Sequence, residues 1–353
     1  MSKEQELKIL LEEVVKLDAT DLHLNVGKPP TLRINGQLVP VKGSQALTNE
    51  QVAELVLALL REDQKTQLQQ QREIDFSYSL ENKARFRVNV YYQMGNLSAA
   101  LRLIPTKIRT IEELHLPLTV KEFTKPSQGF VLIVGPAGHG KTSVMAALVD
   151  IINHTRQDHI ITIEDPIEYV FTQDKCIISQ REVGIDTKSF HSGLRAVFRE
   201  DPDVVMIGEM RDLESIAAAV TSAETGHLVF TSLHTNTAAQ TIDRIIDSFP
   251  PHQQNQIRVQ LAATLLGIIS RRLLPTIKGG LTSACEILIA NSAVRNLIRE
   301  GKTHQIDLVI ETSADQGMIS LNKSLVELIR KKEISLETAE IYSPNPIELR
   351  NLL

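Results

Sequence analysis

The stretch Gly135–Thr142, GPAGHGKT, restricts the fold of this chain more than any other part of the sequence. It matches the pattern G-x-x-x-x-G-K-[ST] in full, and it follows the apolar run FVLIV. A strand that leads through a glycine-rich turn into a helix directs backbone N–H groups and the positive end of the helix at one point. This arrangement cradles phosphate groups. The stretch therefore predicts an α/β domain whose P-loop binds a nucleoside triphosphate.

Two side chains of the P-loop have predicted roles. Lys141 is expected to reach the β- and γ-phosphates of ATP, and Thr142 to offer its hydroxyl to Mg²⁺. His139 occupies a variable position of the pattern, so we expect it to point outward from a loop whose work is done by the backbone. The predicted nucleotide-binding residues are Gly135, Pro136, Ala137, Gly138, His139, Gly140, Lys141, Thr142 and Ser143.

Composition narrows the class of protein. The chain has 353 residues, enough for two domains, and its net charge of −5 gives no support for nucleic-acid binding. No apolar run approaches the roughly 18 residues that a membrane span needs, so we expect no direct membrane insertion. Cys176 and Cys285 are the two cysteines, which fits a reducing cytoplasm and excludes a four-cysteine metal site.

The pattern of apolar residues predicts two domains. Residues 1–105 predict a small α+β domain, residues 106–121 a linker with one short helix, and residues 122–353 a domain of alternating strands and helices. Within the last domain, we expect mainly helices from about residue 265. The elements expected in the first domain are helices at 4–17 and 49–61, strands at 21–26, 73–80, 84–93 and 97–104, and a hairpin at 31–41 that turns at Asn35–Gly36.

Three side chains are predicted to lie near the phosphates. Glu164 ends the run HIITIE, Glu209 follows VVMIG, and His234 follows LVFTSL. Because ligands bind at the carboxyl ends of parallel strands, we expect these side chains to converge on the P-loop. The carboxylates suit metal organisation and water activation, and the imidazole can sense the γ-phosphate. Glu164 and Glu209 are alternative general bases, and Glu209 is also expected to reach Mg²⁺, either directly or through water.

The P-loop and the stretches ITIEDPIE, GEMRD and AETGHLVFTSLHT occur in the order of the four boxes of the secretion ATPases that drive pili and type II secretion. The chain resembles this family over nearly its whole length, and it resembles the retraction ATPases of type IV pili best. The resemblance implies an N-terminal PAS-like α+β domain followed by a RecA-like P-loop ATPase domain with a helical C-terminal part. It also implies that Glu164 and Glu209 are catalytic acids and that His234 contacts the γ-phosphate.

Two further sets of residues are similar to functional parts of the family. Arg85, Arg87 and Arg102 resemble arginines that approach the γ-phosphate when the domains close, although a solvated strand face explains them equally well. The stretch AVRNLIREGK resembles a segment of retraction ATPases, although an ordinary amphipathic surface helix also fits it. Its residues are Ala293, Val294, Leu297 and Ile298, expected to be buried, Arg295, Asn296, Arg299 and Glu300, expected to point outward, and Gly301 and Lys302 at its end.

The resemblance implies an ATP-hydrolysing homohexamer that powers pilus retraction and twitching motility by nucleotide-driven domain movements. Its expected cofactors are ATP and Mg²⁺. Its expected partners are an inner-membrane pilus platform protein, which would recruit it from the cytoplasm, and paralogous pilus ATPases. The alternatives are an accessory retraction paralogue, a pilus extension or type II secretion ATPase, a conjugation-type traffic ATPase, and a nucleotide-gated ring subunit without turnover.

Overall fold

The computed structural model describes residues 2–34, 36–81, 83–105 and 107–353. Asn35 of the predicted hairpin and Thr106, the first residue of the predicted linker, lie outside the described residues. The chain forms two compact units. The first comprises Met1–Lys107 and Pro166–Val170, and the second comprises Ile108–Asp165 and Phe171–Leu353. The chain therefore passes between the units at three places, two of which flank a five-residue insertion that the sequence did not predict.

The first unit is an antiparallel six-stranded sheet with three helices. The strand order is β3-β2-β1-β6-β5-β4. The elements are α1 (Lys3–Lys16), β1 (Asp21–Leu24), β2 (Thr31–Ile34), β3 (Gln37–Pro40), α2 (Asn49–Leu57), α3 (Glu62–Gln71), β4 (Glu73–Leu80), β5 (Ala84–Gln93) and β6 (Asn96–Ile104).

Local sequence explains most of this unit. Ser2 and Gln5 form a capping box that starts α1, and its buried face is a stripe of leucines and one valine. Along β5, buried residues alternate with more exposed ones, as the pleat of a one-sided sheet requires. Helix α3 was not predicted, because EDQKTQLQQQ carries one apolar residue, Leu68, to mark its buried face. The predicted hairpin is present, since β2 and β3 pair up to Ile34 and Gln37.

The second unit contains a seven-stranded sheet in the order β13-β12-β7-β11-β10-β8-β9. All neighbouring strands are parallel except β13, which runs antiparallel to β12. The elements are β7 (Gly129–Val134), α4 (Lys141–Thr155), β8 (His159–Glu164), β9 (Ile177–Glu182), α5 (Phe190–Val197), β10 (Val204–Ile207), α6 (Leu213–Glu224), β11 (Leu228–Leu233), α7 (Ala238–Asp247), α8 (Pro251–Thr264), β12 (Leu265–Pro275), β13 (Leu281–Ile289), α9 (Ser292–Glu300), α10 (Ile306–Thr312), α11 (Leu321–Arg330), α12 (Leu336–Tyr342) and α13 (Pro346–Leu352).

The prediction of helices from about residue 265 is wrong for residues 265–289. These residues form β12 and β13, and β12 pairs directly with the P-loop strand β7. The reason lies in their burial: both strands are covered on both faces, so their runs LLGIISRRLLP and LTSACEILI lack the period-2 alternation that marks a strand. Helices do make up most of the chain beyond Ser292.

The short helix predicted in the linker is also misplaced. Residues 111–115 form a turn that ends at His115, whose φ of 54° stops helical continuation. The helical element there is a 3-10 helix at Leu118–Thr124, which begins directly after Pro117.

Parallel strands bring the predicted site residues to one edge of the second sheet. β7, β11, β10 and β8 are consecutive neighbours, and their residues are buried throughout, apart from the partly exposed first residue of β8. Their carboxyl ends therefore meet at one edge, where the P-loop, His234, Glu209 and Glu164 follow or end the strands. The α/β class predicted from the sequence is confirmed.

Candidate active site

The P-loop is shaped by two glycines. Gly135 leaves β7 with a φ of 144°, and Gly140 caps α4 with a φ of 74°. A Cβ atom at position 135 would lie 2.5 Å from the carbonyl oxygen of Arg271, and one at position 140 would lie 2.4 Å from Nη1 of Arg271. Both the backbone conformation and the close approach of β12 therefore require glycine at these positions.

The ammonium group of Lys141 lies inside the P-loop, in contact with its backbone. Its side chain is buried, with 7% relative exposure, although it carries a charge. The Nζ atom donates to the carbonyl oxygens of Gly135, at 3.0 Å, and Pro136, at 3.1 Å. It also lies 3.2 Å from Nδ1 of His234. The ammonium group is therefore held inside the loop by acceptors that phosphate oxygens can replace.

His234 connects the P-loop to Glu209. Its Nε2 atom lies 3.3 Å from Oε1 of Glu209. Because an ammonium group can only donate, Nδ1 of His234 accepts from Lys141, and the proton of a neutral ring resides on Nε2, the nitrogen nearer the carboxylate. The three predicted residues therefore form one row, in which a hydrogen bond joins Lys141 to His234 and a 3.3 Å contact joins His234 to Glu209.

Arg211 completes the row on its far side. Its Nε atom lies 3.2 Å from Oε1 of Glu209, and its Nη2 atom donates to Oε2 at 3.2 Å. The hydrogen bond and the charge of Glu209 raise the pKa of the Arg211 guanidinium. Glu209 is about one-quarter exposed, so its carboxylate is both charge-compensated and accessible to water. Arg211 was not predicted as a site residue, although it follows Glu209 by two residues.

Glu164 is held differently. It is 2% exposed, and its Oε1 atom accepts from the Thr162 hydroxyl at 2.7 Å and from Nε2 of Gln180 at 3.4 Å. Thr162 lies two residues earlier on the same face of β8, and Gln180 lies on the neighbouring strand β9. Neither residue was predicted, because β9 was not recognised and Thr162 is fully buried within an apolar run.

Gly208 stands where a Walker B strand usually carries an aspartate, and the structure gives a reason for the glycine. A Cβ atom at this position would lie 3.5 Å from Cα of Glu164. A carboxylate at position 208 would therefore lie beside that of Glu164, and two buried like charges repel. Ser232 donates its hydroxyl to the Gly208 carbonyl oxygen at 2.7 Å and ties β11 to this turn.

The expectation that His139 points outward is wrong. Its Nδ1 atom accepts a hydrogen bond from the backbone N–H of Leu273 in β12 at 3.0 Å. Burial lowers the pKa of the imidazole, and the charges of Arg272, Lys141 and Arg271 lower it further. The neutral ring therefore fastens the P-loop to the adjacent strand. Sequence reasoning missed this contact because β12 was itself expected to be a helix.

Two arginines of β12 also hold loops of the site. Arg271 and Arg272 are buried, and Nη1 of Arg271 donates to the Gly140 carbonyl oxygen at 3.0 Å. Nη2 of Arg272 donates to the carbonyl oxygen and Oδ1 of Asn236, at 2.9 and 3.0 Å, two residues beyond His234. Adjacent charged residues in an apolar run were the sequence signal for these contacts.

The three predicted arginines lie in the first unit, on one face of its sheet. Arg85 and Arg87 alternate along β5, and Arg87 lies directly opposite Arg102 on β6. Nε of Arg102 donates to Oδ1 of the buried Asp21 at 2.9 Å. Arg87 and Arg102 also line a cavity of about 170 Å³ with residues 167–169 of the inserted segment. The P-loop belongs to the other unit.

The segment Ala293–Lys302 forms most of α9 and its C-terminal cap. Val294 and Ile298 are buried, Leu297 is half-buried, and Gly301 ends the helix with a φ of 69°. Two expectations are wrong. Ala293 is exposed. Arg295 does not point outward, because its guanidinium donates to the carbonyl oxygens of Ala262, Ala263 and Ala290 at 2.7–2.9 Å. The exposed polar residues are Asn296, Arg299, Glu300 and Lys302.

Comparison with known proteins agrees with this geometry. Residues 2–342 match the family described as type II/IV secretion system protein. The chain is 43% identical over 330 residues to the type IV pilus retraction ATPase PilT of Pseudomonas aeruginosa, covering 94% of this chain and 96% of that protein. It is also 43% identical over 317 residues to a twitching motility protein of Neisseria gonorrhoeae, covering 90% and 84% of the two chains.

The fold is also that of a known motor. The crystal structure of the pilus retraction motor PilT with bound ADP superposes with a TM-score of 0.91, at 46% identity and over 98% of both chains. The chain belongs to the type II/IV secretion system protein family and is a nucleotide-binding ATPase of that family. No helix in the described ranges is long and apolar enough to cross a membrane.

Proposed function

We propose that this chain is the motor that powers retraction of type IV pili, and with it twitching motility, by hydrolysing ATP. The observation that carries the proposal is the row Lys141–His234–Glu209. It lies in a fold that corresponds to a pilus retraction motor along nearly its full length. A lysine for the phosphates, an imidazole between loop and acid, and a water-accessible carboxylate are the groups that phosphoryl transfer to water requires.

The working form is a homohexamer in which nucleotide turnover moves the two units of each subunit. The connection of the chain supports this proposal. Glu164 and Asp165 end their strand where the chain leaves the second unit, and Pro166–Val170 belongs to the first. A movement of the first unit would therefore pull directly on the chain beside a catalytic acid. Arg85, Arg87 and Arg102 of the first unit would supply positive charge to the γ-phosphate.

The donor atoms at the P-loop fit Mg²⁺. Thr142, in the first turn of α4, provides a hydroxyl oxygen, and Glu209 provides a carboxylate oxygen that is open to water. Hard oxygen donors, few of them from protein, are what Mg²⁺ takes beside substrate phosphates. Within the described ranges no group of three or more His, Cys, Asp or Glu side chains could hold a metal by itself. When bound, Mg²⁺ would neutralise charge on the phosphates.

The exposed face of α9 is the proposed contact with the pilus machine. Asn296, Arg299, Glu300 and Lys302 are exposed, whereas Arg295 is occupied by carbonyl oxygens. The partner would be the inner-membrane platform protein, which would recruit the motor from the cytoplasm. Paralogous pilus ATPases would act on the same machine.

The test is a strain that carries Lys141→Ala in place of the natural gene. We expect loss of ATP hydrolysis, loss of twitching and an excess of surface pili, because pili are still built but not withdrawn. Lys125→Ala is the matched control, since Lys125 is exposed and paired with Glu122 on the surface. A bald Lys141→Ala strain would indicate an extension motor. Normal retraction in a Lys141→Ala strain without a paralogue would sink the proposal.

A phosphate-release assay on the purified ring tests the alternative that the chain is a nucleotide-gated ring subunit without turnover. A ring subunit that binds ATP without turnover would release no phosphate above the Lys141→Ala background. We expect steady release from the wild-type protein, and none from the Lys141→Ala variant.

A further inference from the structure

One buried guanidinium, that of Arg271, contacts three separate parts of the second unit. Nε donates to Oγ of Ser283 in β13 at 2.9 Å, Nη1 to the carbonyl oxygen of Gly140 in the P-loop at 3.0 Å, and Nη2 to the carbonyl oxygen of Leu114 at 3.2 Å. Arg271 is 4% exposed, so these bonds are shielded from water. A planar guanidinium with donors in fixed directions suits this triple contact, whereas an ammonium group does not.

Both ends of the P-loop rest on the same residue. At the start of the loop, a Cβ atom on Gly135 would lie 2.5 Å from the Arg271 carbonyl oxygen. At the end of the loop, a Cβ atom on Gly140 would lie 2.4 Å from the Arg271 guanidinium. A change in the P-loop that shifts Gly140 must therefore move the Arg271 guanidinium or break its bond to Gly140.

The third acceptor lies on the segment by which the chain enters the second unit. The first unit ends at Lys107, and residues 108–117 lead to the 3-10 helix. Leu114 is 2% exposed. Its N–H donates to Thr110, and that of Leu116 donates to Ile111, both at 3.0 Å. These bonds make residues 110–116 a compact turn, which would transmit a displacement of Leu114 to the preceding chain.

We propose that Arg271 is a positioning residue that couples the nucleotide state of the P-loop to the segment 108–117. In the structure, Lys141 bonds to carbonyl oxygens of the loop. A nucleotide would withdraw Lys141 from them, and Arg271 carries the resulting shift of the loop from Gly140 to Leu114. The proposal depends on nucleotide binding but not on what the motor moves, so its failure would leave the retraction proposal standing.

The experiment measures amide hydrogen exchange of residues 110–116 in the purified full-length protein, with and without a non-hydrolysable ATP analogue and Mg²⁺. In the wild-type protein we expect nucleotide to change the exchange rate of these amides. In Arg271→Gln we expect this nucleotide-dependent difference to be lost, although a nucleotide-induced rise in thermal midpoint shows that the analogue still binds.

Arg272→Gln is the matched control. It removes a second buried guanidinium, 8% exposed, from the adjacent position. That guanidinium bonds to Asn236 and, at 3.4 Å, to the Arg271 carbonyl oxygen, but not to Gly140 or Leu114. The difference in exchange should persist in this variant. A purely structural role for Arg271 predicts faster exchange in both nucleotide states, with the difference between them retained.

Two results would overturn the proposal. One is a wild-type protein whose residues 110–116 exchange alike with and without nucleotide. The other is an Arg271→Gln variant that binds the analogue and keeps the wild-type difference. If Arg271→Gln does not fold, Arg271→Lys gives the same answer, because its ammonium keeps the charge but cannot reach Gly140 and Leu114 in the same geometry. In Arg271→Lys, the difference in exchange rate between the nucleotide-bound and nucleotide-free protein should then fall well below that of the wild type.

Discussion

The Nζ atom of Lys141 and the Nδ1 atom of His234 are 3.2 Å apart, so the lysine of the P-loop and the histidine after β11 are hydrogen-bonded. The acceptors of the lysine in this state include two loop carbonyl oxygens and the imidazole. Phosphate oxygens would compete for the same ammonium protons. His234 would then lose its donor at Nδ1 while its Nε2 atom still lies close to Glu209, and in this way the histidine can register the arrival of a nucleotide.

We predict that Glu209, not Glu164, is the general base. Glu209 is partly exposed to water and adjoins His234, whereas Glu164 is buried and accepts from Thr162. Glu209→Gln should therefore lower kcat by roughly 10²–10⁴, the usual contribution of a positioned base, with ATP affinity nearly unchanged. Glu164→Gln should lower kcat less. Steady-state turnover and equilibrium binding of ATP on both variants check this, and a larger loss in Glu164→Gln would reverse the assignment.

We predict that His139 stabilises the second unit by accepting a hydrogen bond, and that an asparagine can replace it. Oδ1 of asparagine occupies nearly the position of Nδ1, so His139→Asn keeps an acceptor for the Leu273 N–H. His139→Ala removes it and should cost about 1 kcal/mol. Thermal unfolding at pH 7.5 compares the three proteins. Equal losses in His139→Asn and His139→Ala would contradict the prediction.

The same contact should depend on pH. The pKa of His139 is lowered from 6.5, so the folded protein favours the neutral ring. Its contribution is present above pH 6.5 and is lost as the pH falls through the folded value, because a protonated ring has no acceptor. His139→Asn does not titrate. The variant should therefore become more stable than the wild type in acid. A difference in stability between the two proteins that stays constant between pH 7.5 and pH 5 would refute this.

The residues of the site that could be predicted are those whose signal is local. The P-loop, Glu164, Glu209 and His234 each follow or end a short apolar run, and parallel pairing of those runs is enough to bring the residues together. Arg271 stands out only as a charged residue in an apolar run, and that local signal does not show what it contacts. Its contacts depend on the pairing of β12 with β7, more than 130 positions away in the sequence, and a run buried on both faces has no period that distinguishes strand from helix.

The first unit also contains both features that local sequence predicts and features that depend on tertiary packing. Alternating apolar residues were enough to predict β4, β5 and β6, because one face of their sheet is buried. The assignment of Pro166–Val170 to this unit could not be predicted, since it depends on tertiary packing and not on any property of those five residues. The prediction that Arg295 points outward is wrong for a related reason. A helical wheel places it on the outer face, but its guanidinium donates to the carbonyl oxygens of Ala262 and Ala263 in the last turn of α8, where helical carbonyls lack partners within the helix.

We predict that ionisation of Glu286 destabilises the second unit at neutral pH. Burial raises the pKa of this carboxyl from 4.5 to about 7, the N–H of Ala238 lowers it, and the charge of Asp307 raises it again. The protonated form is favoured by folding, so its contribution is fully present below pH 4.5 and is lost as the pH rises to about 7.

Glu286→Gln removes that ionisation and keeps an oxygen for the Ala238 N–H, which Oε1 of Glu286 accepts at 2.7 Å. The variant should be more stable than the wild type by about 3 kcal/mol at pH 8 and nearly equal to it at pH 4.5. Chemical unfolding at the two pH values measures the difference. A variant that is less stable than the wild type at pH 8 would show that the charged form is the one the fold requires.

We predict that two arginines of α9 differ in role: the exposed Arg299 serves twitching, and Arg295, which is bonded to carbonyl oxygens, serves stability. Arg299 is exposed, and its one hydrogen bond within the described ranges is to Asn296 at 3.4 Å. Arg299→Ala should therefore leave the thermal midpoint and ATP hydrolysis of the purified protein unchanged while twitching is lost. Arg295→Ala removes three bonds to carbonyl oxygens and should destabilise the second unit by about 2 kcal/mol. Unfolding and ATPase assays on both purified variants, together with twitching assays on both strains, check these expectations. If Arg299→Ala cells twitch normally, α9 is an ordinary surface helix and the platform contact lies elsewhere.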